Sequence, residues 1–266
     1  MRLFISRLVL WLCGLLPASF AGAAAAHPDI TGMWQFEFSG WNAAAPPNAP
    51  VLMPAAKALV KKRVAAESHG YVRSVQNILC LPTAFPIMMM WRSPILITQA
   101  PEKILITTEH DPGNDEPRTL YLNETIHPPN ADETWNGHSI AHWDGDALIV
   151  DTIDFNERGE LFAGVPRSES THIVERFHET PGGKFLIDDM IITDPTILIS
   201  PWHVSMKFDR MPEDTERLEA VCEPDLDALK TLDLNSVKDT DPEAARLLDP
   251  SLHYNAFGNQ FSKETK

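Results

Sequence analysis

The stretch Trp135-Asn-Gly-His-Ser-Ile-Ala-His-Trp-Asp-Gly-Asp-Ala-Leu-Ile-Val-Asp-Thr152 predicts a β-hairpin. Its Asp144-Gly145 pair lies between two runs of residues that can form extended β-strands. Asp-Gly is a strong signal for a type I′ turn, because both central residues of that turn need a positive φ. A two-residue loop at Asp144-Gly145 then sets a register in which His138 faces Asp151. Cross-strand partners share one face of a sheet and lie about 5 Å apart at Cβ, so the turn predicts an imidazole beside a carboxylate.

This predicted pair suggests acid–base chemistry. A carboxylate that orients a histidine is the usual construction of a general base, so His138 and Asp151 are the first candidate catalytic residues. The alternative is a structural pair that caps the rim of a barrel. His142 lies four residues further along the same strand, about 13 Å away, and so cannot share a metal ion with His138. Ser139 points to the opposite face, which argues against a serine–histidine pair.

The first 26 residues have the pattern of a secretory signal peptide. Arg2 and Arg7 give a positive start, residues 8–16 form an apolar run, and residues 21–26 supply small residues for cleavage near Ala26. The apolar run is short for a membrane span, and no later run in the sequence resembles one. We therefore expect an exported, most simply periplasmic, protein without a membrane anchor.

The chain is acidic, with a formal net charge of −15 over 266 residues. Such a charge argues against a nucleic-acid partner and against binding to anionic lipid. Removal of the signal peptide leaves about 240 residues, enough for one large domain or two small ones. The sequence gives no indication of the oligomeric state.

Two cysteines, Cys80 and Cys222, remain after the signal peptide. In an oxidising compartment two cysteines usually pair, and two buried free thiols are the alternative. A bridge between them would tie the C-terminal region to the segment before Pro82.

Short apolar runs separated by turn signals recur through the chain, and they predict an all-β fold. About eight to ten antiparallel strands at this spacing are typical of a barrel or a sandwich. A helix is predicted over residues 54–68, with Pro54 in its first turn and Gly70 at its end. We divide the chain into a signal peptide (1–26), one β domain with this helical insertion (27–225) and an acidic tail (226–266). The predicted strands are 29–38, 95–98, 103–110, 118–122, 138–143, 147–153, 171–178, 184–193, 202–210 and 217–222.

A second group of candidate catalytic residues is charged and lies on predicted strands. The apolar alternation of residues 171–177 places Glu175 on the core face, where a carboxylate needs a partner or a raised pKa. Arg118 and His172 are the candidate neighbours, and a structural Glu–Arg pair on the sheet is the alternative. Glu109, near a strand end, is a further candidate acid or base, with a solvated rim residue as its alternative.

The candidate binding residues are mostly aromatic. Trp135 and Trp202 are candidates for a wall against a flat ligand, and core packing is the alternative. The irregular apolar segment 80–91 includes Met89 and is interpreted as the lining of a cavity. Tyr121, in Arg118-x-x-Tyr121, is the remaining candidate.

The sequence contains none of the common cofactor or metal motifs. It has no Gly-rich phosphate loop, no Cys-x-x-Cys, no Gly-x-Ser-x-Gly and no His-Glu-x-x-His. We therefore expect no cofactor and no local metal motif. A metal site assembled from distant residues such as His127, His138, His172 and a glutamate stays an open alternative.

Several motifs together resemble a large, uncharacterised family of exported bacterial proteins. The resemblance covers about residues 75 to 225 and implies a fold but no agreed reaction. Where that family usually has glycine and arginine, this chain has Ala141 and His142, so it lacks that arginine. The motifs are Cys80-Leu-Pro, Arg118-x-x-Tyr121, His127-Pro128, Trp135-x-Gly-His-Ser, Trp143-Asp-Gly-Asp-x-Leu-x-Val-Asp-Thr152, Ser168-x-x-x-His-x-x-Glu-Arg176, Asp194-Pro195 through Pro201-Trp202, and Val221-Cys-Glu223.

The segment Thr31-Gly32-Met33-Trp34 is similar to the Gly-x-Trp start of lipocalin-like barrels. With the run of antiparallel strands, this resemblance implies a lipocalin-like β-barrel, and small barrels of this kind can hold one small ligand.

We therefore expect an exported enzyme whose barrel binds a small hydrophobic or aromatic molecule. His138, oriented by Asp151, would move a proton, and Arg118 would hold a developing oxyanion. The expected chemistry is cofactor-free elimination, isomerisation or cyclisation, and hydrolysis is a less favoured alternative. A non-catalytic carrier or sensor of a hydrophobic ligand is the alternative. The candidates for the partner acid or base are Glu109, Glu175 and His172.

Overall fold

A computed structural model gives the fold of residues 27–37, 46, 48–67, 80, 82–109, 117–162, 164–218 and 222–223. The predicted signal peptide and acidic tail lie outside these described residues. Within them, the strands are β1 (Gly32–Phe36), β2 (Ile95–Gln99), β3 (Lys103–Thr108), β4 (Arg118–Tyr121), β5 (His138–Asp144), β6 (Ala147–Ile153), β7 (Glu160–Phe162), β8 (Val165–Pro166), β9 (His172–Glu179), β10 (Phe185–Thr193) and β11 (Trp202–Arg210).

Nine of these strands form a closed barrel, in the order β1, β11, β10, β9, β6, β5, β4, β3, β2. The predicted barrel of eight to ten strands is therefore confirmed. Strands β7 and β8 form a separate two-stranded hairpin that the sequence analysis missed. The last predicted strand, 217–222, is wrong for residues 217, 218 and 222, which lie in no strand, while residues 219–221 are outside the described part.

The barrel interior is built by alternation of buried and outward-facing residues, which is most regular in β11. In β11 the side chains of Trp202, Val204, Met206 and Phe208 are buried, and those between them face outward. A 3₁₀ helix over Ile87–Met90 is also buried, and its three methionines belong to the same core cluster. The segment predicted to line a cavity is thus part of the hydrophobic core.

Helix α1 (Pro54–Glu67) confirms the predicted helix and lies against the β7–β8 hairpin. Its Arg63 is buried, pairs with Glu160 at 3.3 Å and donates a hydrogen bond to the carbonyl of Gly164 at 3.0 Å. No helix in the described part of the chain is long and apolar enough to cross a membrane.

The β5–β6 hairpin has a two-residue loop, but the predicted register is wrong. Asp144 pairs with Ala147, so the central turn residues are Gly145 and Asp146 rather than Asp144 and Gly145. Gly145 has φ 59°, and Asp146 has no positive φ, which fits a turn with glycine at its first central position (type II′) better than type I′. The register therefore moves by two residues: His138 lies opposite Ile153, and the predicted His138–Asp151 cross-strand pair does not form. Because the shift is even, both side chains keep the predicted face.

Strand β4 pairs with β5 in parallel, the one exception to the antiparallel pairing within the described barrel. Parallel neighbours need a connection that returns along the sheet. Residues 122–137, which we call the crossover, make this connection on the outer side of the barrel wall. The crossover is fixed at both ends, since the amide of Leu122 donates to the carbonyl of Glu102 at 2.8 Å and that of Thr134 to Asp154 at 3.0 Å.

The predicted disulfide between Cys80 and Cys222 is present, and it spans 142 residues of sequence. It links the segment that leads into the buried 3₁₀ helix to the segment that follows β11, the strand beside β1. The bridge therefore joins two parts of the chain that are distant in sequence but adjoin neighbouring strands of the closed barrel.

Candidate functional site

Histidine and carboxylate side chains meet where the crossover lies on the outer face of the barrel. His127 comes from the crossover, and its Nε2 is 3.0 Å from Oδ1 of Asp151 on β6. The Nδ1 of His127 is 3.0 Å from Nδ1 of His138, the first residue of β5. His138 and Asp151 are therefore joined through His127, rather than directly as the sequence predicted.

Two more residues extend this group at its ends. Nε2 of His172, on β9, lies 3.1 Å from both carboxylate oxygens of Asp151. Oε2 of Glu124, on the crossover, lies 3.3 Å from Nε2 of His138. These five side chains contact one another in a row, and we call the row the histidine–carboxylate chain. In the order of contact its members are Glu124, His138, His127, Asp151 and His172.

The hydrogen-bond partners within the histidine–carboxylate chain determine which ring nitrogens carry protons. A carboxylate accepts, so Nε2 of His127 must donate to Asp151. A neutral His127 then has a bare Nδ1, and Nδ1 of His138 donates to it. This assignment comes from the network of contacts. It leaves Nε2 of His138 facing the Glu124 carboxylate, so a neutral His138 has its lone pair there and a protonated His138 donates to Glu124.

The surroundings of His138 are half-buried and aromatic. Its ring stacks on Tyr121 with centroids 5.1 Å apart and an interplanar angle of 15°. Burial lowers the pKa of the His138 imidazole; the Glu124 carboxylate acts in the opposite direction, and the neighbouring His127 lowers it further. The imidazole is thereby held in its neutral form at neutral pH.

A cavity of about 380 Å³ opens beside His138, between the barrel wall and the crossover. The wall contributes Thr119, Tyr121 and His138, and the crossover contributes Asp132 and Trp135 among others. We call this the crossover cavity. Two of the predicted binding residues, Tyr121 and Trp135, thus share one cavity with the predicted catalytic histidine.

Two of the larger cavities in the described part of the chain lie elsewhere. One of about 570 Å³ is lined by residues that include His27, His142 and Trp143, whose ring stacks on His27. The other, of about 560 Å³, is lined by residues of β6, β9, β10 and β11. Neither contains a member of the histidine–carboxylate chain, and so the smaller crossover cavity is the better candidate site.

The open alternative of a metal site involves these same histidines. Among the described residues, no group of three or more His, Cys, Asp or Glu side chains is arranged to hold a metal ion. In the histidine–carboxylate chain, the ring nitrogens of His127 and His138 face each other and their carboxylate partners. The donor atoms therefore form a line of contacts instead of surrounding one point.

Arg118 and Glu175 lie inside the barrel, apart from this site. Both are fully buried, and the guanidinium donates to both carboxylate oxygens of Glu175, with 2.7 Å from Nη1 to Oε1. Nη2 also donates to the hydroxyl of Thr152 at 3.1 Å, and Phe85 covers the guanidinium at 3.6 Å. Arg118 is thus the partner that a buried Glu175 requires.

Asp188 joins this interior group without a partner of its own. It is fully buried, and neither carboxylate oxygen has a hydrogen-bond partner among the described residues. Burial raises the pKa of the Asp188 carboxyl well above its ordinary value, the Glu175 carboxylate raises it further, and Arg118 acts in the opposite direction. Burial therefore favours the protonated form of Asp188 beside the Arg118–Glu175 ion pair.

The remaining predicted site residues lie away from both groups. Trp202 is buried and its ring is 5.0 Å from that of Phe162, and Met89 is buried in the core. Oε1 of Glu109 accepts a hydrogen bond from the amide of Leu218 at 2.6 Å and so holds the segment after β11. None of the three belongs to the histidine–carboxylate chain or lines the crossover cavity.

The sequence analysis missed three residues of these groups as site candidates. Glu124 and His127 lie in a connection without periodicity, so no pattern indicated which strands they cover. His127 was noted only in the His127-Pro128 motif and as a distant metal ligand. Asp188 had a usable signal, because it alternates with the apolar Leu186 and Met190 on the core face of β10.

Comparisons with known proteins do not assign the chain to a family. The chain matches no protein-family model, and no curated protein matches it. Among solved structures, a mutant of the fluorescent protein UnaG is similar at 11% sequence identity and a TM-score of 0.32. The alignment covers 69% of this chain and 97% of that one.

Proposed function

We propose that the crossover cavity binds a small organic molecule and that His138 transfers a proton to or from it. The observation that carries this proposal is the line of contacts from Asp151 through His127 to His138. Of these three residues, His138 lines the cavity. A base that is oriented by a second group, itself held by a third, is the usual arrangement in proton-transfer enzymes.

The proposed step uses only groups of this chain. Nε2 of His138 carries the lone pair and accepts a proton from the bound molecule, whose electron pair stays on the molecule. The resulting imidazolium is stabilised by Glu124, 3.3 Å from Nε2, and by Asp151 through His127. Return of the proton to another atom completes an isomerisation or cyclisation, and loss of a leaving group completes an elimination.

The lowered pKa of His138 supports the role of a base. Burial disfavours the imidazolium, so the ring is neutral and able to accept a proton at neutral pH. The aromatic rings of Tyr121 and Trp135 support binding of a flat molecule beside it.

A second candidate is a binding protein without catalysis. It is favoured by the exposure of Asp151 and His172, whose side chains are 41% and 43% exposed. Water competes for an exposed carboxylate and weakens its hold on His127. The cavity itself would serve a carrier equally well, since binding needs no line of proton donors.

Native mass spectrometry of the purified protein tests the proposal. The variants are His138→Asn and, as matched control, His142→Asn, which removes a histidine from the same outer face of β5 but lines a different cavity. We expect wild type and H142N to carry the same small molecule, and H138N to carry more of it or its unreacted precursor.

The outcomes separate the two candidates. Equal mass and occupancy in H138N and H142N would contradict proton transfer and leave the carrier. Loss of the bound molecule from H142N but not from H138N would place the ligand in the other cavity and overturn the proposal. Circular dichroism melting of each variant shows whether the fold is kept.

We also propose that the protein is exported. The basic start and apolar run of residues 1–26 support this, and so does the disulfide, because disulfides persist mainly in oxidising compartments. Intact mass of the protein from cell fractions is the test. The expected result is a chain in the periplasmic fraction that starts near His27; a full-length chain in the cytosol would contradict export.

A further inference from the structure

We infer that the crossover cavity takes a small organic cation, an amine carried on a flat or apolar body. This inference rests on the proposed binding function and names the class of its ligand. The sequence predicts a hydrophobic or aromatic ligand, and this inference narrows that class to ligands with a positive charge.

The first step of the argument is the combination of aromatic and acidic groups in the cavity wall. Tyr121 and Trp135 offer ring faces, and Asp132 lines the same cavity. An ammonium group is attracted both to an aromatic face and to a carboxylate. The guanidinium of Arg158 already lies 5.9 Å from the centroid of the Trp135 ring, so this face accepts a cation in the structure itself.

The second step is the charge around the cavity. Glu124 and Asp151 hold the two histidines, and Asp154 acts on His138 as a further negative charge. One oxygen of Asp154 is buried without a hydrogen-bond partner among the described residues. An unpaired carboxylate oxygen of this kind favours a nearby positive charge.

The outer part of the crossover is also negatively charged. The pKa of Glu133, next to Asp132, is raised by its slight burial and by the carboxylates of Glu169, Glu157 and Asp154. Besides burial, the causes are three neighbouring carboxylates, so acidic side chains are close together in this part of the molecule.

The positively charged side chains near the cavity do not cancel the negative charge around it. Arg167 is buried and donates to the backbone carbonyls of Phe85 and Asn156, so it does not face the cavity as a free charge. Arg158 is a positive group near Trp135 and does not itself line the cavity. In a chain with a net charge of −15, an anionic ligand would meet repulsion and a cation would be attracted.

Three probes that differ in charge but share one ring test the inference: benzylamine, benzyl alcohol and benzoate. Each is titrated into the full-length mature protein and followed by the ¹H–¹⁵N resonances of the Trp135 indole and the His138 ring. We expect benzylamine to shift both sets of resonances and to bind about ten-fold more tightly than benzyl alcohol at low salt, with benzoate weakest. The preference should shrink as salt is added, because ions screen partly exposed charges.

The matched variants are Asp132→Asn, in the cavity wall, and Asp146→Asn, in the β5–β6 turn, which remove one charge each. D132N should weaken benzylamine by about three-fold to ten-fold and leave benzyl alcohol unchanged, while D146N should leave both unchanged. Equal or tighter binding of benzyl alcohol or benzoate, with the same shifted resonances, would overturn the cation and keep the binding function. Failure of all three probes to shift Trp135 or His138 would overturn both.

Discussion

His127 is the residue on which the histidine–carboxylate chain depends, because each of its ring nitrogens contacts a different partner. His127→Phe keeps a ring of similar size but removes the imidazole and its contact with His138. Since His127 lowers the pKa of His138, we expect that pKa to rise in the variant, supported by Glu124. The measurement is a pH titration of the His138 Cε1–H signal by NMR.

The matched control is His172→Phe, which also removes a histidine from Asp151 but makes no direct contact with His138. The His138 titration should be unchanged there. An unchanged titration in H127F as well would show that the two rings are not in contact in solution.

Asp188 predicts an unusual dependence of stability on pH. Its pKa in the folded protein lies above the unfolded value, so the folded state binds more protons and stability falls as pH rises above about 4. Asp188→Asn removes this titration. Relative to wild type, D188N should therefore gain stability with rising pH, by at most about 1.4 kcal/mol per pH unit. Urea unfolding at pH 5 and pH 8 measures the difference.

Asp189→Asn is the matched control for this experiment, because Asp189 is the next residue on β10 but faces outward, where Ser205 donates to it at 2.7 Å. D189N should keep most of the pH dependence of wild type, because Asp189 contributes less than burial and Glu175 to the raised pKa of Asp188. Parallel curves for D188N and wild type would mean that Asp188 has an ordinary pKa in the folded protein.

At the scale of elements, Gly137 couples the crossover to the strand that carries His138. Gly137 and Gly145 both have a positive φ, 68° and 59°. An added Cβ at Gly137 would lie 2.6 Å from the carbonyl oxygen of Ile153, whereas at Gly145 it would meet nothing within 4 Å. We expect Gly145→Ala to cost about 1–2 kcal/mol from backbone strain alone. Gly137→Ala should cost about 2–5 kcal/mol, because crowding adds to that strain.

Urea unfolding of the two variants measures these costs, and the His138 resonances report on the site. Only G137A should shift those resonances, since it pushes the start of β5 away from the end of β6. Equal losses of stability in the two variants would contradict a close approach at Gly137.

The elements differ in how far the sequence could predict them. Strand β11 was predicted with its observed bounds, because four apolar residues alternate from Trp202 to Phe208 and leave one possible face. The turn at Gly145 was located, but glycine fits either central position, so the register came out two residues away. The direction of β4 relative to β5 has no local pattern at all, since pairing joins residues distant in sequence.

The same distinction applies to the candidate site. That a buried Glu175 needs a partner follows from the cost of an isolated charge in the core, and Arg118 was one of two candidates. His127 was beyond prediction as an orienting group, because a connection without periodicity can pass over any strand. The crossover determines the site, and it was the part of the fold that local patterns describe least.

At the scale of the whole molecule, the barrel separates two polar groups that the sequence interleaves. Alternate residues of β5, β6 and β9 point to opposite sides, so Ser139, Thr152 and Glu175 join Arg118 inside, while His138, Asp151 and His172 meet outside. The interior group is covered on all sides, and the outer group is reached from solvent. Substitutions one residue apart can therefore change the buried group and the candidate site separately.

The disulfide predicts how the whole barrel responds to reduction. Cys80 and Cys222 are 142 residues apart, and a bridge over so long a loop restricts the unfolded chain strongly. In the chain-entropy model this stabilises by about 4–5 kcal/mol, so reduction should lower the melting temperature by on the order of 10 °C. The measurement is thermal unfolding with and without a phosphine reductant. The double variant Cys80→Ala/Cys222→Ala should melt like the reduced wild type and ignore the reductant. Two titratable thiols in the unreduced, denatured wild type would contradict the bridge, and equal melting of both forms would contradict its stabilising role.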